Sequence, residues 1–332
     1  MAPIIVLILV LAVSVTAVTA ATVTTSQIDN VNTKNVGTQL LIQEDPNISG
    51  NIVVYRKTKY PGTDSWSMDD PTSSIIYWKH LKTGKSGRIT SSSSKQWNPA
   101  ISGTRVVWQE GELADPMRIY TKNLATGSVV QLSSSSTNKP DISGIRVVYV
   151  TVKTGRYYIN VKNLETGATG TISTNNLMGD PSISGTRIVW TEYVSGHEYI
   201  FIKNLATGAK ARIGTDGRVP DISGNKIVWE SNGVSYWRDL VTSAGGIVAN
   251  GYSPKIDGSR VVFERQEGSN VVIYVKNLVT KSLIKINQQY GGQFGFQPAI
   301  SGTIVVWQDW KPYLFLIYWK DVLTREGGRV QL

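Results

Sequence analysis

The stretch from Asp180 to Ile213, DPSISGTRIVWTEYVSGHEYIFIKNLATGAKARI, is the unit from which nearly the whole chain is copied. A Pro-x-Ile-Ser-Gly segment runs into an apolar run that ends in an aromatic residue. A second apolar run ends in a basic residue, a small polar residue and Leu; Thr-Gly and a short last run follow. The glycine of Ile-Ser-Gly, or its equivalent, falls at Gly50, Gly103, Gly144, Gly185, Gly224, Gly258 and Gly302, at intervals that average 42 residues. Self-similarity at such a period leaves two kinds of architecture, propellers and solenoids.

The pattern inside one unit chooses between them. In the second unit, Ala100–Ser102 reads as a short inner strand and Gly103-Thr104 as a tight turn. Arg105–Gln109 reads as a second strand rich in β-branched and aromatic residues. Arg118–Asn123 is a third strand, Ala125-Thr126-Gly127 a hairpin turn and Ser128–Leu132 an outer strand. No window carries the 3.6-residue period of a helical solenoid, and a three-sided β-helix would need shorter coils. Four short antiparallel strands per unit describe a propeller blade, so the expectation is all-β: a seven-bladed β-propeller of four-stranded antiparallel blades over residues 39–332.

Two repeated features read as architecture. One aromatic per unit (Tyr55, Trp108, Tyr149, Trp190, Trp229, Phe263, Trp307) stands where twisted sheets pack face to face and a large side chain is needed at constant depth. The proline before each inner strand (Pro46, Pro99, Pro140, Pro181, Pro220, Pro254, Pro298) stands where a strand can begin without a ladder donor.

The consensus Pro-x-Ile-Ser-Gly-x-Arg-Val-Val-Trp, followed by Ile-Tyr-x-Lys-Asn-Leu-x-Thr-Gly-x(4)-Leu, resembles the TolB-type (WD40-like) propeller repeat. More closely, it is similar to the repeats of secreted surface proteins of methanogenic archaea. The resemblance covers residues 44–332. It implies architecture and a surface location; its members include binding and scaffold proteins and non-catalytic domains of some peptidases. No catalytic motif of that family is matched.

The first residues agree on location. Residues 4–13 (IIVLILVLAV) are apolar, and Val18 and Ala20 occupy the −3 and −1 places of a cut before Ala21. Residues 1–21 thus read as a secretory signal peptide, or as an anchor if uncleaved, and 22–38 as an extended leader. Gln39–Glu44 is a separate short strand, expected to clasp Arg329–Leu332 and tie the two ends of the chain. Cysteine is absent, which excludes disulfides and thiolate chemistry.

Strand alternation sorts the turns onto two faces. One carries a cation per blade just before the hairpin turn: Lys79, Lys122, Lys162, Lys203, Arg238, Lys276 and Lys320. Arg105, Arg146, Arg187, Lys226 and Arg260 lie on the same face, and the chain is +10 overall. The ring reads either as snorkelling side chains over strand edges or as a contact for an acidic partner, a protein or anionic glycan of the cell envelope. No nucleic-acid recognition module appears, so nucleic acid is not an expected partner. The other face carries irregular, aromatic-rich loops where blades one and seven meet: Trp66, Asp69 and Asp70; Tyr290, Phe294 and Phe296; Trp310 and Tyr313. Loops on a rigid scaffold are where binding usually lives.

Catalytic constellations are sparse. His80 and His197 are the two histidines and lack metal-ligand spacing, and no Gly-x-Ser-x-Gly elbow occurs. No cofactor or metal is expected. Asp141 and Asp221, next to their prolines, can face the channel as an acid pair for sugar chemistry. The expected function is a non-enzymatic secreted or cell-surface module that binds a partner or builds the envelope. The alternatives are an extracellular polysaccharide lyase or hydrolase, and a self-assembling lattice subunit.

Overall fold

Short apolar runs punctuated by Gly turns give strands throughout. The computed structural model describes residues 39–61, 71–112, 117–136, 139–174, 176–287, 294–311 and 314–331. They form seven antiparallel blades of four consecutive strands each, in the order inner to outer, with no α-helix among them. Blade one is β1 (Gln39–Ser49), β2 (Ile52–Pro61), β3 (Ser73–His80) and β4 (Ser86–Arg88). Blade seven, Phe294–Arg329, closes the series, and a single parallel bridge, Val271 to Phe294, joins it to blade six. The expected signal peptide and leader, residues 1–38, lie outside the described residues.

The core is a succession of blade-to-blade seams, and the repeated aromatic is the centre of most of them. Trp108 packs with Val54, Ile76 and Ile89 of the preceding blade, and Trp307 with Val262 and Ile273. Tyr55 closes the circle by packing on Val306, Ile317 and Val330 of blade seven. Six of the seven stack on the aromatic paired with them on the next strand, Trp108 on Tyr120 at 5.8 Å for example. Burying a large ring at each seam contributes several kcal/mol relative to a truncated side chain, on the order of 3–5.

The Ile-Ser-Gly signature has a physical reason that its turn glycine only half explains. Its isoleucine is buried in every blade, from Ile48 to Ile300. Its glycine has φ of +57° to +59°, with nothing within 4 Å of an added Cβ, so glycine answers a backbone demand and not a spatial one. Its serine hydroxyl accepts the amide of the next blade's glycine: Gly103 to Ser49, Gly144 to Ser102, Gly185 to Ser143 and Gly224 to Ser184 at 2.9 Å. Gly258 to Ser223 at 3.0 Å and Gly302 to Asp257 at 2.6 Å continue the series. Gly50 to Ser301 at 2.9 Å completes it across the junction of first and last blades.

Two expectations change. Gln39–Glu44 is not a separate clasp: it continues into β1 and pairs with Arg56–Pro61 of its own blade, while Gly327–Arg329 pairs only within blade seven. The prolines do not start the inner strands either. In every blade but the third the strand begins earlier, and the proline sits in a β-bulge where the register shifts, as between Trp97 and Ala100. A bulge breaks the ladder locally, which is where a residue without an N–H does no harm.

Candidate functional site: the central channel

The bulges set the wall of the one feature to which all seven blades contribute. The Pro-x-Ile-Ser segments surround a central cavity of about 470 Å³. Residues just before the prolines turn into it with left-handed backbone: Asp45, Asn98, Val219, Ser253 and Gln297 have φ between 46° and 52°.

The wall is rich in carboxylates, although the protein carries net positive charge. Most of them are joints between blades. Asp141 accepts the amides of Ile142 and, across the seam, Ile183, each at 2.8 Å, and the hydroxyl of Ser182 at 3.2 Å. Ser182 also reaches Asp221 at 2.9 Å, and Asp221 accepts the Ile256 amide of blade six at 2.8 Å. Asp141 and Asp221 thus do face the channel, linked through Ser182, but their oxygens hold backbone together in place of a sugar. Burial pushes Asp141 up to about 6, against the pull of its two amide donors. Glu264 accepts the Gln297 amide of blade seven at 2.9 Å, and burial pushes it up to about 7.

In blade one the wall residue Asp45 belongs to an ion cluster. Arg56, nearly buried, meets Asp45 at 2.7 Å and Glu44 at 2.9 Å and lies 4.7 Å over the Trp97 ring. Desolvation raises the Glu44 carboxyl and Arg56 opposes it. Asn47 of the Asn47-Ile48-Ser49 sequon lines the same channel, with Ser49 already engaged. Among the described residues no group of three acidic or histidine side chains is placed to hold a metal.

The other candidate residues fall elsewhere. Lys79, Lys122, Lys162, Lys203, Arg238, Lys276 and Lys320 are all half-buried. Three of them reach back to the outer edge of the preceding blade, to a carbonyl in its outer strand or just after it: Lys122 to Ile89 at 2.6 Å, Arg238 to Ile213 and Lys320 to Ile286 at 3.4 Å. Trp66, Asp69, Asp70, Tyr290 and Tyr313 lie outside the described residues. Phe294, Phe296 and Trp310, read as loop residues, are in strands; Phe294 pairs with Trp310 in the blade-seven hairpin. His80 accepts the Thr83 amide, doing the work of the turn asparagines in other blades. His197 meets Asp216 at 3.0 Å on the surface. Sequence reasoning missed Asp45, Asp180, Asp257 and Glu264 as wall residues; the signal available was their fixed offset from the repeated proline or glycine.

No protein-family model and no curated protein matches this sequence. Solved structures do. The β-propeller domain of the Trilobed protease from Pyrococcus furiosus, described as having an open velcro topology, matches with a TM-score of 0.69 at 15% identity, over 87% of this chain and 97% of that one. The acylaminoacyl peptidase of Pyrococcus horikoshii matches with 0.70 at 14% identity, over 88% of this chain and 52% of that one. TolB from Acinetobacter baumannii matches with 0.53 at 14% identity, over 87% and 78%. The chain therefore has a TolB-like seven-bladed fold and spans about half the length of the acylaminoacyl peptidase. These neighbours overturn the expectation of a plainly non-enzymatic binding or envelope module: the matching propellers of the Trilobed protease and the acylaminoacyl peptidase belong to peptidases, while TolB shares the fold.

Proposed function

We propose that this chain is the propeller of a peptidase, with its central channel as the aperture through which peptide substrates are selected. The observation that carries the reading is the match of the whole seven-blade unit to the propeller domain of a protease, supported by the matching half of a peptidase. The channel suits that role. Its seams are fixed by hydrogen bonds from blade to blade, so its width is set, and its wall offers backbone and carboxylate groups to a polar chain. The protein is further proposed to act outside the cytoplasm, a reading supported by the apolar run of residues 4–13 and the small residues that follow it.

The test is to isolate the protein from its native source under mild conditions and assay hydrolysis of short aminoacyl and acylaminoacyl peptides, by the isolated complex and by the purified chain. Hydrolysis that tracks the chain through purification, and falls when Ser182→Trp narrows the channel, is the expected result. Absence of peptide hydrolysis from both preparations overturns the reading.

A further inference from the structure

The seven seams are not equally filled. Opposite the third residue of each second strand stands Trp78, Thr121, Val161, Ile202, Trp237, Val275 or Trp319, in blade order. Six are apolar and pack into the adjoining core. Blade two has Thr121, whose hydroxyl turns back within its own blade, donating to the Val106 carbonyl of the neighbouring second strand at 3.0 Å. On the facing blade the hairpin turn has Gly167; at the seam of blades five and six the same turn place holds Lys281, whose ammonium lies 5.9 Å from the Trp237 ring centroid. Where Trp237 and Lys281 fill one seam, Thr121 and Gly167 leave another open: a groove of about 320 Å³ between blades two and three.

The chemistry of this groove is one-sided. Arg105 and Lys162 line it, and among the described residues neither side chain makes a hydrogen bond or ion pair. Asn123 and Asn163 line it too, with their oxygens already engaged. Asn123 Oδ1 accepts the Ala125 amide and the Thr104 hydroxyl, and Asn163 Oδ1 accepts the amides of Glu165 and Thr166. That fixes both amide orientations and leaves their NH2 groups as donors. Two cations and two committed donors face the groove, beside an apolar side of Val130, Leu132 and Leu164. Val130 is 51% exposed, an uncovered apolar surface next to uncommitted charge.

We propose that this groove binds a carboxylate carried on a short apolar body, the chemistry shared by an N-acyl amino acid and the C-terminal residue of a peptide. Arg105 supplies a planar fork for the carboxylate and Lys162 a second charge, while Val130 and Leu132 take the side chain. The volume is that of a small-molecule site. The site lies at an outer seam and not in the channel, and it does not depend on the peptidase reading.

The test is calorimetric titration of the whole purified chain, at low ionic strength, with N-acetyl-leucine, its neutral amide N-acetyl-leucinamide, and the tripeptide Gly-Gly-Leu. Saturable binding of an acid that is at least roughly tenfold tighter than the amide is expected. Arg105→Gln/Lys162→Gln, and separately Val130→Glu at an exposed position, should each weaken it by a similar factor with the melting temperature unchanged. The tighter of the two acids identifies the source of the carboxylate. Equal affinity for acid and amide, affinity unmoved in both variants, or no saturable binding at millimolar concentration overturns the proposal.

Discussion

The side chain of Gln43, at the start of blade one, accepts the amide of Ile317 in blade seven at 3.0 Å and donates to the Val330 carbonyl at 3.3 Å. The same relation joins Gln96 of blade two to the Ile76 amide of blade one at 2.9 Å, and Asn287 satisfies the Ile273 amide of blade six at 3.1 Å. Blades one, six and seven are those whose outer strands, Ser86–Arg88, Leu283–Lys285 and Gly327–Arg329, have three residues. In the others the outer strand reaches past the equivalent residue, as Ser133 does opposite Ile119. A short outer strand leaves a buried N–H without a ladder partner, and such a group must be satisfied from elsewhere. The first and last blades are therefore held together by a side-chain amide, an aromatic seam and the Gly50–Ser301 bond, with no strand exchanged between them among the described residues.

Gln43→Leu should cost on the order of 2 kcal/mol, because it strands the buried Ile317 amide. Gln96→Leu should cost about as much. Only the first should open the ring at its ends, read as faster hydrogen exchange at Gly50 and Ile317 and a lower melting temperature. Equal exchange at the closing seam in both variants would show that another contact closes it.

Lys122→Gln should lower stability by about 1 kcal/mol through loss of the charged bond to the Ile89 carbonyl. Lys162→Gln, at the corresponding place of the next blade, should leave stability within a few tenths of a kcal/mol, since Lys162 makes no such bond among the described residues. Chemical denaturation of the two variants checks the difference.

Glu264 is held near 7 and Asp141 near 6, both above the ordinary carboxyl range. A raised folded pKa means that the folded state binds protons more tightly than the unfolded one. The stability these groups contribute is present below about pH 4 and lost as pH rises through 6 and 7. Glu264→Gln keeps an acceptor for the Gln297 amide and removes the buried charge. Its melting temperature should exceed that of the wild type at pH 8 and converge with it near pH 4, the gap corresponding to about 2 kcal/mol. A constant offset between the two pH profiles would be the contrary result.

Val219 stands in the channel wall at φ 46°, a conformation β-branched residues rarely adopt. Val219→Asn, matching Asn98 at the same place in blade two, should raise stability by about 1 kcal/mol. Val219→Ile should not. Thermal melts of both variants read this directly.

Seven blades, the limits of the second, third and fourth strands of blade two to within a residue, and the aromatic at each seam were legible in the amino-acid order, because period and alternation are local signals repeated seven times. The predicted inner strand of blade two, Ala100–Ser102, came out as Gln96–Ser102, since a bulge at Asn98-Pro99 hides the continuation from any alternation rule. The loop reading of Phe294, Phe296 and Trp310 failed for a related reason: glycines beside a strand look like a flexible connector until the hairpin pairs them.

What the order of residues determined by itself is the blade: where chains turn, which faces are apolar, and that the same wedge recurs. What only the folded ring decided is how wedges meet. The acceptor for each turn glycine, the place of Asp141 and Glu264 in the channel wall, and the open seam beside Thr121 all join residues from different blades, here 33 to 42 positions apart or more. A repeat specifies such contacts jointly through geometry, and no window of sequence contains both partners.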